Sequence, residues 1–181
     1  MSTTHRTRCP TGAGFAAVAI LATTTILMPI PAAQAGLSVR TCGPAINSVV
    51  TTQNNLTTTS SASFVDLPGA VQNISVQLSA GTLGCVKVVF TAEAACLGSA
   101  AGGNICFIQA LLDDVPMQPQ GGGRQAFISQ VSQDVTASAH AYEWVRRVGE
   151  GNHVVRIQQR VGDTNTVFEI DDWTFDIQIY D

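Results

Sequence analysis

Along most of the chain apolar and polar residues alternate with a period of two, a pattern that strands satisfy and helices do not. The closing stretch is the clearest case. Trp173, Phe175, Ile177 and Ile179 take one parity, while Asp172, Thr174, Asp176 and Gln178 take the other. Such a strand buries one face and wets the other. Ile74, Val76 and Leu78 alternate in the same way with Asn73, Ser75, Gln77 and Ser79. After a turn marked by Gly81 and Gly84, Val86, Val88 and Phe90 alternate with Lys87 and Thr91. Cys106, Ile108, Ala110 and Leu112 share a further face, which ends at Asp113-Asp114 and a turn through Pro116 and Pro119.

Tyr142 to Val148 and His153 to Val161 are β-rich runs joined by Gly149-Glu150-Gly151-Asn152, a connection short enough for a hairpin. With Glu150 and Gly151 at its centre, the register predicts Trp144 opposite Ile157 and Arg146 opposite Val155. Ile46 to Ser63 is rich in Thr, Ser and Asn with scattered Val and Leu, which suits an extended edge strand or arm. Gly121-Gly122-Gly123 reads as a linker, since it lacks the lysine and the strand-to-helix setting of a phosphate loop. About eight short strands with glycine-rich turns predict an all-β fold, an antiparallel β-sandwich. A jelly-roll is favoured over an immunoglobulin-like arrangement because both tryptophans follow the last cysteine.

The N-terminal region sets the compartment. Arg6 and Arg8 precede an apolar stretch from Phe15 to Ile30, and Ala33-Gln34-Ala35 offers small side chains to a signal peptidase. Thr23, Thr24 and Thr25 interrupt the stretch, which is shorter than the ~20 apolar residues of a spanning helix. The expectation is a signal peptide over residues 1–35, an extended arm and first strand over 36–63, and a β-sandwich domain over 64–181. The mature protein would be secreted or periplasmic, with no membrane partner after cleavage. Losing Arg6 and Arg8 increases the acidic excess, and Lys87 is the sole lysine. Nucleic acid is therefore excluded as a partner, because binding its backbone requires a concentrated basic surface.

Cleavage would also remove Cys9 and leave Cys42, Cys85, Cys96 and Cys106, an even set that implies disulfides in an exported chain. Three pairings are open. The expected one joins Cys96 to Cys106, clamping the glycine-rich loop between them, and leaves Cys42 with Cys85. Their spacing lacks the close pairs of a four-cysteine zinc site.

Little in the chain points to a reaction. No G-x-S-x-G elbow is present, and sequence gives no reason to bring His140 and His153 together with a third ligand. His153, beside the predicted turn, is read as a packing or solvent-facing residue. Asp113 and Asp114, with Asp171 and Asp172, are the candidate ligands for calcium, although adjacent strand residues face opposite ways. The competing reading pairs these carboxylates with Arg146, Arg147, Arg156 and Arg160. Trp173 shares its parity with Phe175, Ile177 and Ile179 and is assigned to the core. Tyr142 and Trp144 are the candidate surface rings for stacking on a sugar.

Ser63-Phe64-Val65-Asp66-Leu67-Pro68-Gly69, Cys85-Val86-Lys87-Val88-Val89-Phe90, Gly149 to Gln158 and Asp171-Asp172-Trp173 together resemble uncharacterised bacterial secreted proteins. These are distantly similar to jelly-roll modules of the complement C1q and tumour-necrosis-factor type and of phage tail fibres. The resemblance implies a fold and no reaction, and by analogy a homo-oligomer. The expectation is a non-enzymatic binding or interaction protein without a cofactor, its partner an unknown protein or glycan. The alternatives are a self-assembling trimeric subunit and a carbohydrate-active hydrolase.

Overall fold

The computed structural model describes residues 42–98, 104–119, 126–130 and 137–181. The expected signal peptide, the start of the arm and the Gly121 to Gly123 linker lie outside the described residues. The described residues form ten strands: β1 (Ala45–Gln53), β2 (Thr57–Thr59), β3 (Val65–Val76), β4 (Gly84–Gly98), β5 (Asn104–Leu112), β6 (Val115–Pro116), β7 (Ala126–Gln130), β8 (Ser138–Val148), β9 (Gly151–Val161) and β10 (Thr166–Tyr180). Strands β2 and β6, of three and two residues, are too short to show a period, which is why the sequence suggests fewer.

The strands form two antiparallel sheets packed face to face, a β-sandwich. The first sheet runs β1-β10-β4-β8 with β2 also on β10; the second runs β3-β9-β5-β6 with β7 also on β5. Between β3, β4 and β5, and again between β8, β9 and β10, the chain passes from one sheet to the other. The alternating residues define the inner faces as expected. Val86, Val88 and Phe90 on β4, Cys106, Ile108, Ala110 and Leu112 on β5, and Trp173, Phe175, Ile177 and Ile179 on β10 are all buried. The Thr-rich segment forms β1, at the edge of the first sheet.

The predicted hairpin between β8 and β9 is corrected. Strand β8 pairs with β4, placing Trp144 beside Val88 and Arg146 beside Val86. Strand β9 pairs with β3 and β5, so Ile157 lies beside Ala110 and Val155 beside Leu112. The short Gly149-Glu150 connection therefore crosses between sheets. A tight link and two alternating strands fit lateral pairing and face-to-face packing equally well, because both bury the same parity.

A second difference lies within β10. Phe168 and Ile170 are buried at even positions, whereas Trp173, Phe175, Ile177 and Ile179 are buried at odd ones. The phase changes at Asp171-Asp172, where the ladder to β4 shifts register and Asp172 takes φ 43°. This is a β-bulge, one extra residue that re-aims the strand.

Both disulfides use β4. Cys96 and Cys106 join β4 to β5 through the core and so link the two sheets, with Cα atoms 5.8 Å apart. Cys42 and Cys85 tie the chain ahead of β1 to the start of β4, with Cα atoms 5.7 Å apart. On one lateral side the sheets draw close at Gly69 (φ 83°), where an added Cβ would meet the Gln53 Oε1 atom and lie 3.4 Å from the Trp173 ring.

Candidate functional site

The acidic pair Asp113-Asp114 forms the two-residue turn between β5 and β6, with φ values of 51° and 62°. Consecutive left-handed residues suit the twist of a tight hairpin, and aspartate tolerates that conformation better than most side chains. The turn folds onto the start of β9. Asp113 accepts from the Val154 amide (2.9 Å) through Oδ1 and from His153 Nδ1 (2.7 Å) through Oδ2. Its own amide donates to the Val154 carbonyl at 2.9 Å. Burial works to raise the Asp113 pKa, but the hydrogen bonds from His153 and Val154 and the charges of His153 and Arg146 outweigh it. The carboxyl is held below its ordinary value.

The other ring nitrogen of His153, Nε2, lies 3.2 Å from the Gly149 carbonyl. The ring therefore spans the acidic turn and the inter-sheet connection, one nitrogen toward each. His153 thus ties the inter-sheet connection to the acidic turn, and neither nitrogen is left for a metal or a substrate. Beside it Arg156 reaches Asp114 (3.3 Å) and Asp66 (3.4 Å), and Gln158 donates to Asp66 at 2.8 Å. Arg146 donates to the Pro116 carbonyl at 3.1 Å. The turn is a network of cross-strand clasps, in which the carboxylates meet arginine and histidine.

Asp171 and Asp172 belong to the other sheet, at the β10 bulge, where Asp171 Oδ1 accepts from the Asp172 amide at 3.0 Å. The structure does not bring the two aspartate pairs together. Among the described residues, no group of three or more His, Cys, Asp or Glu is placed to hold a metal ion.

Tyr142 and Trp144 do stack, with ring centroids 4.6 Å apart, but the expectation that both are surface rings is corrected. Trp144 is 1% exposed and lies among the largest core side chains, while Tyr142 packs half-buried against it. The same parity that carries them along β8 carries Val148, so the ring stack faces the opposite sheet. Trp173 is in the core as expected, 5.9 Å from the Phe90 ring.

One pair escaped the sequence reading. Ser138 Oγ lies 2.7 Å from His140 Nε2, two residues along β8 on one parity, and the His140 ring packs 5.3 Å from Phe127. A serine nucleophile with a base needs a third group to orient the histidine. No such acid bonds to His140 among the described residues. On the outer face of the second sheet, Arg160 sits between Phe107 and Phe64, 4.0 and 5.0 Å from their centroids. These cation–π contacts hold the guanidinium in place.

The concave surface that remains lies on the side where β1 and β3 are the outer strands of their sheets. The sheets meet at Gly69 and diverge toward the other end of β1, leaving a cleft of about 580 Å³. Ile46 and Asn47 of β1 line it, with Ser75 of β3, the following Gln77, Leu78 and Ser79, and Ile179 and Asp181 from the end of the chain. Its polar groups are amides and hydroxyls, with a single side-chain carboxylate, set around the aliphatic side chains of Ile46 and Leu78. These positions carry no motif. In sequence they are scattered over three distant stretches and both parities, and nothing there says that those stretches border one opening.

Neither a protein-family model nor a curated protein matches the chain. Among solved structures it is similar to the dimeric latent PorU of Porphyromonas gingivalis, at 8% identity and a TM-score of 0.39, over 81% of this chain. The chain spans 14% of that protein's length, and the likeness carries no argument about function.

Proposed function

We infer that this chain is a secreted or periplasmic, non-enzymatic binding protein that takes a neutral, hydroxyl-rich ligand, a glycan, in the cleft between β1 and β3. The observation that carries the reading is the composition of that cleft. Asn47 and Gln77 each offer both a donor and an acceptor, Ser75 and Ser79 add hydroxyls, and Ile46 and Leu78 supply apolar surface. A polyol presents the matching mixture of hydroxyls and C–H faces, while a charged ligand would find little to pair with. Few convergent polar groups on apolar walls are the usual make-up of a small-ligand site.

Support for export comes from the two disulfides, which form and persist in oxidising compartments. Among the described residues no helix is long and apolar enough to cross a membrane. The non-enzymatic part of the reading draws on the engagement of His153 by Asp113 and Gly149. The same reading takes the sandwich as a jelly-roll, in keeping with strands that alternate between sheets and with the resemblance to bacterial secreted modules.

The test is a panel of neutral oligosaccharides presented to the protein and to an Asn47→Ala, Gln77→Ala double variant. The expected result is retention of at least one glycan by the parent and its loss by the variant. Silence across the panel removes the glycan reading, and cleavage of a retained glycan replaces the binding protein with a hydrolase.

A further inference from the structure

Among the described residues four strand edges bound the two sheets, and three are protected in recognisable ways. Strand β8 is bridged by Gln118, which exchanges two backbone hydrogen bonds with Val145 at 3.0 and 2.7 Å, and it carries Glu143 and Arg147. Strand β3 contains Pro68 and a register break between Asp66 and Val71. The remaining edge of the second sheet is made of β6 and β7, of two and five residues. Proline, charge, bulges and shortness are the devices by which sheet edges avoid pairing.

Among the described residues, strand β1 has one register shift, between Ala45 and Asn47, and none of these devices from Asn47 to Gln53. It runs nine residues, pairs without interruption from Asn47 to Gln53 with β10, and contains no proline and no charge. Beyond that ladder, one of its amides is satisfied locally, Ser48 N–H by Asn47 Oδ1 at 2.8 Å. Exposed apolar side chains gather along the same border: Val50 is 60% exposed, and Ile46 and Leu56 are similarly bare. Among the described residues no strand pairs with this outer edge, and a row of backbone donors and acceptors flanked by β-branched residues is a template for another strand.

We propose that β1 pairs with β1 of a second copy of this chain, antiparallel, about a two-fold axis at Val49, joining the two first sheets into one. Charge selects this occupant. From Pro44 to Val65 the sequence has no Asp, Glu, Lys, Arg or His, whereas the whole chain carries a formal net charge of −4. Two copies therefore repel over much of their surface and can meet along this border without opposing like charges. A charged peptide would find no counter-charge here. Centring on Val49 uses the full strand and sets Ser48 of each copy opposite Val50 of the other, with Thr52 opposite Ile46. Such β-branched and hydroxyl pairs are favourable across antiparallel strands. The seam is about 30 Å long at ~3.3 Å per residue, a short contact, so association depends on concentration. The seam borders the cleft, since Ile46 and Asn47 belong to both, but the proposal does not depend on which ligand the cleft takes.

Sedimentation of the full chain over a concentration series tests it, together with Val50→Lys and, on the guarded edge, Val71→Lys. Val71 is also exposed, at 43%, and both substitutions leave the core untouched. The parent should pass from monomer to dimer, with hydrogen exchange slowing in Ala45–Gln53 as the dimer fills. Val50→Lys, which brings two added charges into the seam, should raise the dissociation constant at least about tenfold, and Val71→Lys should leave it unchanged. A parent that stays monomeric, a species of three times the monomer mass, or an equal response of the two variants would overturn the proposal.

Discussion

The two sheets divide the work of the sandwich unequally. The first contributes rings to the interior: Trp144, Trp173, Phe90, Phe168 and Phe175 are its largest fully buried side chains. The second answers with branched aliphatics, Leu67, Ile108, Leu112 and Ile157. Large against small lets opposing faces interdigitate at interior density. Their outer surfaces differ as well. Among the described residues the first sheet shows one ion pair, Lys87 with Glu143 at 3.0 Å, on long strands that need little else. The second is assembled from shorter pieces held by clasps between distant residues, Asp113 with His153 and Arg156 with Asp66 and Asp114. A sheet of long alternating strands is specified locally, whereas a patched sheet depends on side chains far apart in sequence.

Truncating a core residue in each sheet probes that division most strongly. Trp173→Ala should cost about 3–5 kcal/mol and Ile157→Ala about 2–5 kcal/mol, read by urea unfolding, with the ring loss the larger. Equal losses would mean that the rings are not the heavier half of the core.

The two disulfides come next. Loop length alone assigns about 4 kcal/mol to Cys42–Cys85 and about 3 kcal/mol to Cys96–Cys106, from separations of 43 and 10 residues. Position should reverse that order. Cys96→Ala with Cys106→Ala unlinks the two sheets and should lower global stability by about 3 kcal/mol. Cys42→Ala with Cys85→Ala should cost less than its loop predicts, because the edge strand β1 can open alone, and hydrogen exchange should quicken there first. If the second variant loses the full loop value, β1 unfolds with the rest of the sheet.

The smallest effects are electrostatic and have opposite signs in pH. Asp113 has a lowered folded pKa, so its contribution is present above the unfolded value of 3.8 and is lost as pH falls through the folded one. Lys87 has a raised folded pKa, chiefly through its hydrogen bond to Glu143. Its contribution is present below 10.5 and is lost as pH rises through the folded value. The stability gap between parent and Asp113→Asn should therefore close in acid, and the gap to Lys87→Met should close in alkali. Both groups are partly exposed, so both gaps are small. A gap that ignores pH would remove the ionic account of that sheet's outer face.

Much of the first sheet is legible in the chain because its strands are long enough to display their period. Even the β10 bulge leaves a trace: Phe168 and Ile170 run out of step by one with Trp173 and Phe175 across Asp171-Asp172. The second sheet is less readable. Nothing near Asp113 in sequence announces that His153 and the Val154 amide will meet it, and nothing near Asn47 announces Gln77. Trp144 shows the limit of parity itself. Its neighbours at even positions, Tyr142 and Arg146, are polar at their tips, so sequence gives the ring no clear face.

By itself the sequence determined the fold class and, along most strands, which side chains lie inside, because a period of two is a property of the local chain. Which strand lies beside which was decided by tertiary structure. Every strand offers the same backbone donors and acceptors to a neighbour, so β8 could have taken β9 as readily as β4 on pattern alone. The inner faces had to enclose one core, with the largest rings of the first sheet set against the aliphatics of the second, and that requirement sent β8 and β9 to opposite sides. The same packing left β1 and β3 as neighbouring borders, and so opened the cleft and exposed the edge that no local pattern foretells.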